Sequence, residues 1–275
     1  MRILLMVIAC LWLLTSCASQ ELAERTQPVA SLFSQHGFVQ RDISTPDFTL
    51  RVWQSPAVDA KDMRVYIEGD GLSWITRYQP ALNPTPLNSI VPFLAVKDTL
   101  AGNVVYLARP CQYVSLAEPD CRSVYWTHAR FSPEVVSAMN AAVTRLKQEA
   151  HAEHLMLIGY SGGGALAVLM AAQRQDVDAI VTVAGNLDHR VWTDLHHLSP
   201  LHDSMNPPDV WQKLQGVRQL HFVGELDQNM PPSIYWAYRT FFPAQADVQM
   251  QVIKGFDHKC CWVERWPQLL REHFN

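Results

Sequence analysis

Residues Gly159-Tyr160-Ser161-Gly162-Gly163 set a serine between glycines two positions to either side. Ahead of them runs the apolar stretch Leu155 to Ile158, and behind them Gly164 to Ala172 is apolar on every face. A strand that reverses sharply into a helix crowds the positions two before and two after the turn residue, so residues without a Cβ are needed there. The serine then points out of the turn. The free N–H groups and positive dipole end of the helix behind it favour an anion formed nearby. This is the machinery of acyl transfer.

A serine hydroxyl is a poor nucleophile at neutral pH, so Ser161 requires an imidazole to take its proton and a carboxylate to orient that imidazole. In parallel sheets such groups gather where strands end. His258 meets this condition in Gly255-Phe256-Asp257-His258, after a strand expected over Val248 to Ile253. Asp227 meets it in Gly224-Glu225-Leu226-Asp227-Gln228-Asn229-Met230-Pro231, after a strand expected over Leu220 to Val223. Asp188, after the strand that follows the nucleophile helix, is the alternative acid. Asp257 is too near His258 in sequence to orient its ring easily.

The elements that must position these residues follow from periodicity and punctuation. Phe38 to Ile43 and Phe48 to Trp53 alternate around Thr45-Pro46-Asp47, which reads as an antiparallel pair at a solvated edge. Met63 to Ile67, Val104 to Ala108 and Ala179 to Ala184 are continuous apolar runs, as parallel strands covered on both faces should be. Ile90 to Lys97 forms a short helix, and Ser132-Pro133-Glu134 opens a longer one with an N-cap serine. Trp262 to Phe274 is helical around Pro267. Asn186 to Leu214 is too irregular for a single crossover helix and is expected to form a lid-like insertion. The fold class is therefore α/β, a mostly parallel sheet covered by helices on both faces.

With the nucleophile elbow G-Y-S-G-G, the acid loop G-x-x-D-x-x-M-P and a glycine-started loop ending in histidine, in that order, the chain resembles the α/β-hydrolases from about His36 onward. The resemblance implies that Ser161 is the nucleophile, His258 the general base and acid, and Asp227 the orienting carboxylate. It also implies an oxyanion hole of backbone N–H groups, one from Gly162 and one from Asp70 in the loop after the third strand. Two positions depart from the family pattern. Glu68 stands where a histidine is usual, and Arg109-Pro110-Cys111-Gln112-Tyr113 replaces a glycine-rich loop. Asp70 also sets a carboxylate beside a site that must hold negative charge, so its side chain has to turn away or be neutralised, with Arg109 the candidate partner. Gly71 and Leu72 are the alternative donors. The function implied is hydrolysis of an ester or thioester of a small-molecule acyl substrate through an acyl-enzyme, without cofactor. A peptidase or amidase, and a silent binding lipoprotein of the same fold, are the alternatives.

The run from Ile3 to Leu14 is apolar but too short to cross a bilayer core, and reads as a signal peptide over residues 1–16. Leu14-Thr15-Ser16-Cys17 resembles the lipobox of bacterial lipoproteins, which implies acylation of Cys17, and Ala18 points to the outer membrane facing the periplasm. Residues 17–35, polar from Glu21 to Ser34, are expected to be an irregular tether, and residues 36–275 one hydrolase domain. A net charge of -4 with scattered basic residues provides no footprint for nucleic acid. Cys111, Cys121, Cys260 and Cys261 remain as disulfide candidates of an oxidising compartment. Cys111 with Cys121 is the first choice. It leaves adjacent residues to pair across about 3.8 Å between Cα atoms, below the usual span of about 4.4 Å or more, so two cross-loop bridges stay open. His189, His196, His197 and His202 lie near Asp188, Asp194 and Asp203 but match no short ligand motif, and no metal is assigned. Trp74, Tyr113, Trp126, Trp192 and Trp262 divide between an acyl pocket and ordinary core and rim.

Overall fold

The computed structural model describes residues 20–117 and 120–274. The signal peptide and Cys17 lie outside them. Among the described residues there are ten strands: β1 (Val39–Ser44), β2 (Thr49–Gln54), β3 (Asp62–Ile67), β4 (Trp74–Thr76), β5 (Gln79–Pro80), β6 (Asn103–Leu107), β7 (His154–Tyr160), β8 (Val177–Val183), β9 (Arg218–Gly224) and β10 (Val248–Ile253). Eight of them form one sheet in the order β1-β2-β6-β3-β7-β8-β9-β10, and β4 pairs only with β5. β2 is antiparallel to both its neighbours, and every other pairing from β6 to β10 is parallel. The loops after β3, β6, β7, β8, β9 and β10 therefore all leave at one edge of the sheet.

Strand alternation divides the core into two layers. Val65 and Ile67 of β3 and Val105 and Leu107 of β6 point to one face, where α3 (Pro133–Glu149), α4 (Gly162–Ala171) and α6 (Pro232–Arg239) cover them. Tyr66 and Tyr106 point to the other face, under α2 (Val91–Val96) and α7 (Trp262–Phe274). Ser132 caps α3 by accepting the Val135 N–H, as its sequence predicts.

The segment expected to be an irregular tether is helical over residues 20–35, here α1. Arg25 donates to the carbonyls of Asn83 and Thr85 at 3.1 and 3.0 Å, and Phe33 stacks on Trp53 with ring centroids 5.2 Å apart. Three of its apolar residues, Val29, Ala30 and Phe33, dock it on the α2–α7 layer. Residues 186–214 hold α5 (His189–Leu195) and a 3₁₀ segment, Pro207–Leu214. Cys111 is bonded to Cys121 and Cys260 to Cys261, so the cross-loop pairing does not occur. No helix among the described residues is long and apolar enough to cross a membrane.

Candidate active site

Ser161 stands between β7 and α4 with φ 52° and ψ -121°, a left-handed backbone in which an L-residue is strained. The neighbourhood holds it there. Its N–H donates to the Val183 carbonyl at 3.1 Å, and its own carbonyl accepts the N–H groups of Gly164 and Asn186, each at 2.9 Å. A Cβ at Gly159 would overlap the Gly163 backbone, and one at Gly163 would overlap the carbonyls of Ile67 and Glu68. These close approaches are why the elbow needs glycine two residues either side of the serine.

The loops after β9 and β10 bring the other two groups to the serine. Ser161 Oγ lies 3.1 Å from His258 Nε2, and His258 Nδ1 lies 2.9 Å from Asp227 Oδ2. Asp227 is buried, and its other oxygen accepts the N–H groups of Asn229 and Met230 at 2.9 and 2.8 Å. The carboxylate is thus fixed by its own loop. Asp188 does not reach this cluster: its side chain caps α5, accepting from Arg190 and Val191 N–H at 3.1 and 3.3 Å and from Asn206 Nδ2 at 2.8 Å. Asp257 accepts the N–H groups of Lys259 and Cys260, each at 2.7 Å, and so shapes the turn that carries His258.

Beside the serine, the β3 loop lays Asp70 against Gly162, where a Cβ would overlap Asp70 Oδ1. Among the described residues neither Gly162 nor Asp70 gives its N–H to a protein acceptor, whereas Leu72 donates to the Pro84 carbonyl at 3.1 Å. Leu72 is thereby removed as a free donor. The Asp70 carboxylate is held by two guanidiniums: Arg109 Nη1 on Oδ1, and Arg130 Nη1 on Oδ2 at 2.7 Å. Burial opposes ionisation of Asp70, but Arg130 and Arg109 together hold its carboxyl below the ordinary value. Glu68, two residues earlier, is fully buried and accepts from Gly69 N–H at 2.8 Å and from the Ser89 and Tyr106 hydroxyls, each at 2.5 Å. Burial nonetheless raises its pKa against these donors. In place of a glycine-rich loop, Gln112 ties the β6 loop to the Gly69 carbonyl at 3.1 Å.

The cluster opens on a cavity of about 430 Å³ lined by Ser161, His258, Asp70, Arg130, Trp74, Trp192 and Met230, among others. Of the aromatics considered, Trp74 and Trp192 face this cavity, while Tyr113, Trp126 and Trp262 are core. The histidines of residues 189–202 do not converge. His189 is buried against Phe131 and His196 Nε2 meets the Asn229 carbonyl at 2.9 Å. Among the described residues no group of three His, Cys, Asp or Glu could hold a metal ion.

Two residues of this site were not anticipated. Arg130 comes from an irregular loop before α3 and shares no motif with Asp70; the one signal for it was the requirement that Asp70 be neutralised. Asn229 lies within the acid loop, with Nδ2 at 3.2 Å from His258 Nε2 and Oδ1 accepting from Trp192 Nε1 at 3.3 Å.

The sequence profile of the dienelactone hydrolase family matches residues 112–221, a span that includes Ser161 but stops before Asp227 and His258. No curated protein matches the sequence significantly. Among solved structures, Est1E from Butyrivibrio proteoclasticus superposes with a TM-score of 0.61 at 12% identity, over 85% of this chain and 96% of that one. An alpha-beta serine hydrolase homologue from Coxiella burnetii gives 0.60 at 16% identity, over 86% and 97%. A bacterial membrane phospholipase A gives 0.53 at 14% identity, over 99% and 97%. The fold is that of the α/β-hydrolases.

Proposed function

We propose that this protein is a serine hydrolase of the bacterial envelope, anchored to the outer membrane by lipid on Cys17 and facing the periplasm, that cleaves a carboxylic ester or thioester through an acyl-enzyme on Ser161. The observation that carries this reading is the chain of contacts from Ser161 Oγ to His258 Nε2 at 3.1 Å and from His258 Nδ1 to Asp227 at 2.9 Å. In it, His258 accepts the serine proton as Oγ attacks the acyl carbon, and Asp227 stabilises the imidazolium that results. The carbonyl oxygen becomes an oxyanion, received by the N–H groups of Gly162 and Asp70. His258 then protonates the departing alcohol or thiol, and a water activated the same way releases the acid. Arg109 and Arg130 cancel the Asp70 charge, which would otherwise oppose oxyanion formation. Trp192 of α5, facing the cavity, supports reading residues 186–214 as a cover of the site.

Labelling by a fluorophosphonate probe tests the proposal. Wild-type protein is expected to label on Ser161, and Ser161→Ala to lose labelling and at least about 10⁴-fold of its esterase activity. Esterase activity unchanged in a folded Ser161→Ala protein would overturn it.

A further inference from the structure

Among the described residues fourteen large apolar side chains are well exposed, and six of them, Trp74, Ile75, Tyr78, Leu82, Leu87 and Phe93, fall within residues 74–93. Tyr78 and Leu82 are 88% and 86% exposed, so they stand almost clear of the fold. The same twenty residues carry a single charge, Arg77, in a chain that is 17% charged, and its guanidinium is taken up by the His197 carbonyl at 2.5 Å. Four prolines fix the backbone of this stretch. Exposed apolar side chains gathered in this way mark a site of interaction. Its position is specific: Trp74 and Leu87 also line the cavity that contains Ser161.

A second observation says what covers it. The first turns of α1 lie against this region, Arg25 bonding to Asn83 and Thr85, and Glu21, Glu24 and Arg25 sharing a groove with Leu87 and Phe93. Gln20 is already helical, and three residues of chain reach at most about 11 Å, so Gln20 stays within that distance of Cys17. An anchor at Cys17 therefore brings residues 74–93 and the cavity mouth to the lipid surface. An anchor alone sets distance but leaves the domain free to tumble. An apolar rim whose one charge is Arg77 sets orientation. Glu21 and Glu24 at the edge of the patch disfavour a strongly anionic surface, so the partner is a zwitterionic one.

We infer that residues 74–93 dock on a zwitterionic phospholipid bilayer and that the acyl substrate enters the cavity from that bilayer as a lipid-embedded ester. Docking rests on the Cys17 anchor of the reading above and not on its chemistry; the substrate half rests on both.

The full-length acylated protein, reconstituted in phosphatidylcholine vesicles, separates the two. A fluorophore placed through Tyr78→Cys should be quenched by doxyl-labelled phosphatidylcholine at least threefold more than one placed through Gln249→Cys, on the exposed edge of β10. Equal quenching at the two positions would overturn docking, whatever the enzyme does. The combined variant Ile75→Ser, Tyr78→Ser and Leu82→Ser should lose at least tenfold of its rate on an ester embedded in these vesicles and stay within twofold on a soluble butyrate ester. Unchanged rates on both esters would overturn lateral entry. Wild-type protein inactive on every ester would defeat the hydrolase reading and with it lateral entry, leaving the quenching ratio to decide docking.

Discussion

Asp227 and Asp70 both follow parallel strands and both are largely withdrawn from water, the first joined to Ser161 through His258 and the second lying against Gly162, yet they are held in opposite ways. Asp227 takes two backbone N–H groups of its own loop and the ring of His258, with no cation against it. Its charge stays available for an imidazolium. Asp70 is clamped by arginines 39 and 60 residues away in sequence, so its charge is spent before any substrate arrives. In the proposed mechanism, what remains useful at Asp70 is its backbone N–H. Two identical side chains thus serve different ends, and what neutralises each decides which.

The largest expected effect is at Asp227. Asp227→Asn should lower kcat by about 10⁴-fold through the wrong imidazole tautomer, with little change in a urea unfolding midpoint. Asp70→Ala should behave differently: it leaves Arg109 and Arg130 buried and unpaired, which costs about 3–5 kcal/mol. It also releases the loop that carries one proposed oxyanion donor, for a further loss of about 10²–10³ in kcat/KM. Unfolding curves and steady-state kinetics on the same preparations separate the two losses. An Asp70→Ala protein with wild-type stability would show that the clamp is not what holds the loop.

Asp70 and its neighbour Glu68 should also differ in the sign of their pH dependence. Asp70 ionises more readily folded than unfolded, so its contribution to stability is complete above about pH 4 and is lost as acid titrates it. Glu68 holds its proton more tightly folded than unfolded, so it costs stability as pH rises above about 4.5. Urea midpoints from pH 3 to 8 should therefore lose the acid-side fall in Asp70→Asn and the alkaline-side fall in Glu68→Gln. The smallest effect is at Asp188. Asp188→Ala removes a helix cap worth about 1 kcal/mol and should leave kcat within about twofold. A large loss of kcat there would move the acid role away from Asp227.

The same contrast governs what could be read from the sequence. Asp227 and His258 were legible because each follows a strand whose apolar run is visible, and because the groups fixing Asp227 are its own neighbours. The elbow was legible because its steric demands lie within five residues. Arg130 was not, since a contact made across 60 residues by an irregular loop leaves no local pattern. α1 was missed because the apolar positions of a mostly polar stretch give no clear period, although Val29, Ala30 and Phe33 suffice to dock it once Phe33 has Trp53 and Tyr106 to pack on. The β4–β5 pair was hidden by the prolines around it. The sheet itself carried through with its strands within about two residues of expectation, because buried parallel strands leave little freedom in composition.

The backbone of Ser161 carries one more consequence. A side chain at φ 52° costs about 1–3 kcal/mol that glycine would not incur. In a library of all single substitutions, Ser161→Gly should therefore rise in cellular abundance while vanishing from any selection for turnover. Positions 159 and 163 should be depleted under both selections, because there the glycines keep neighbouring backbones from colliding. Sorting one library twice, for protein level and for activity, would divide the elbow into the residue that reacts and the residues that only make room for it.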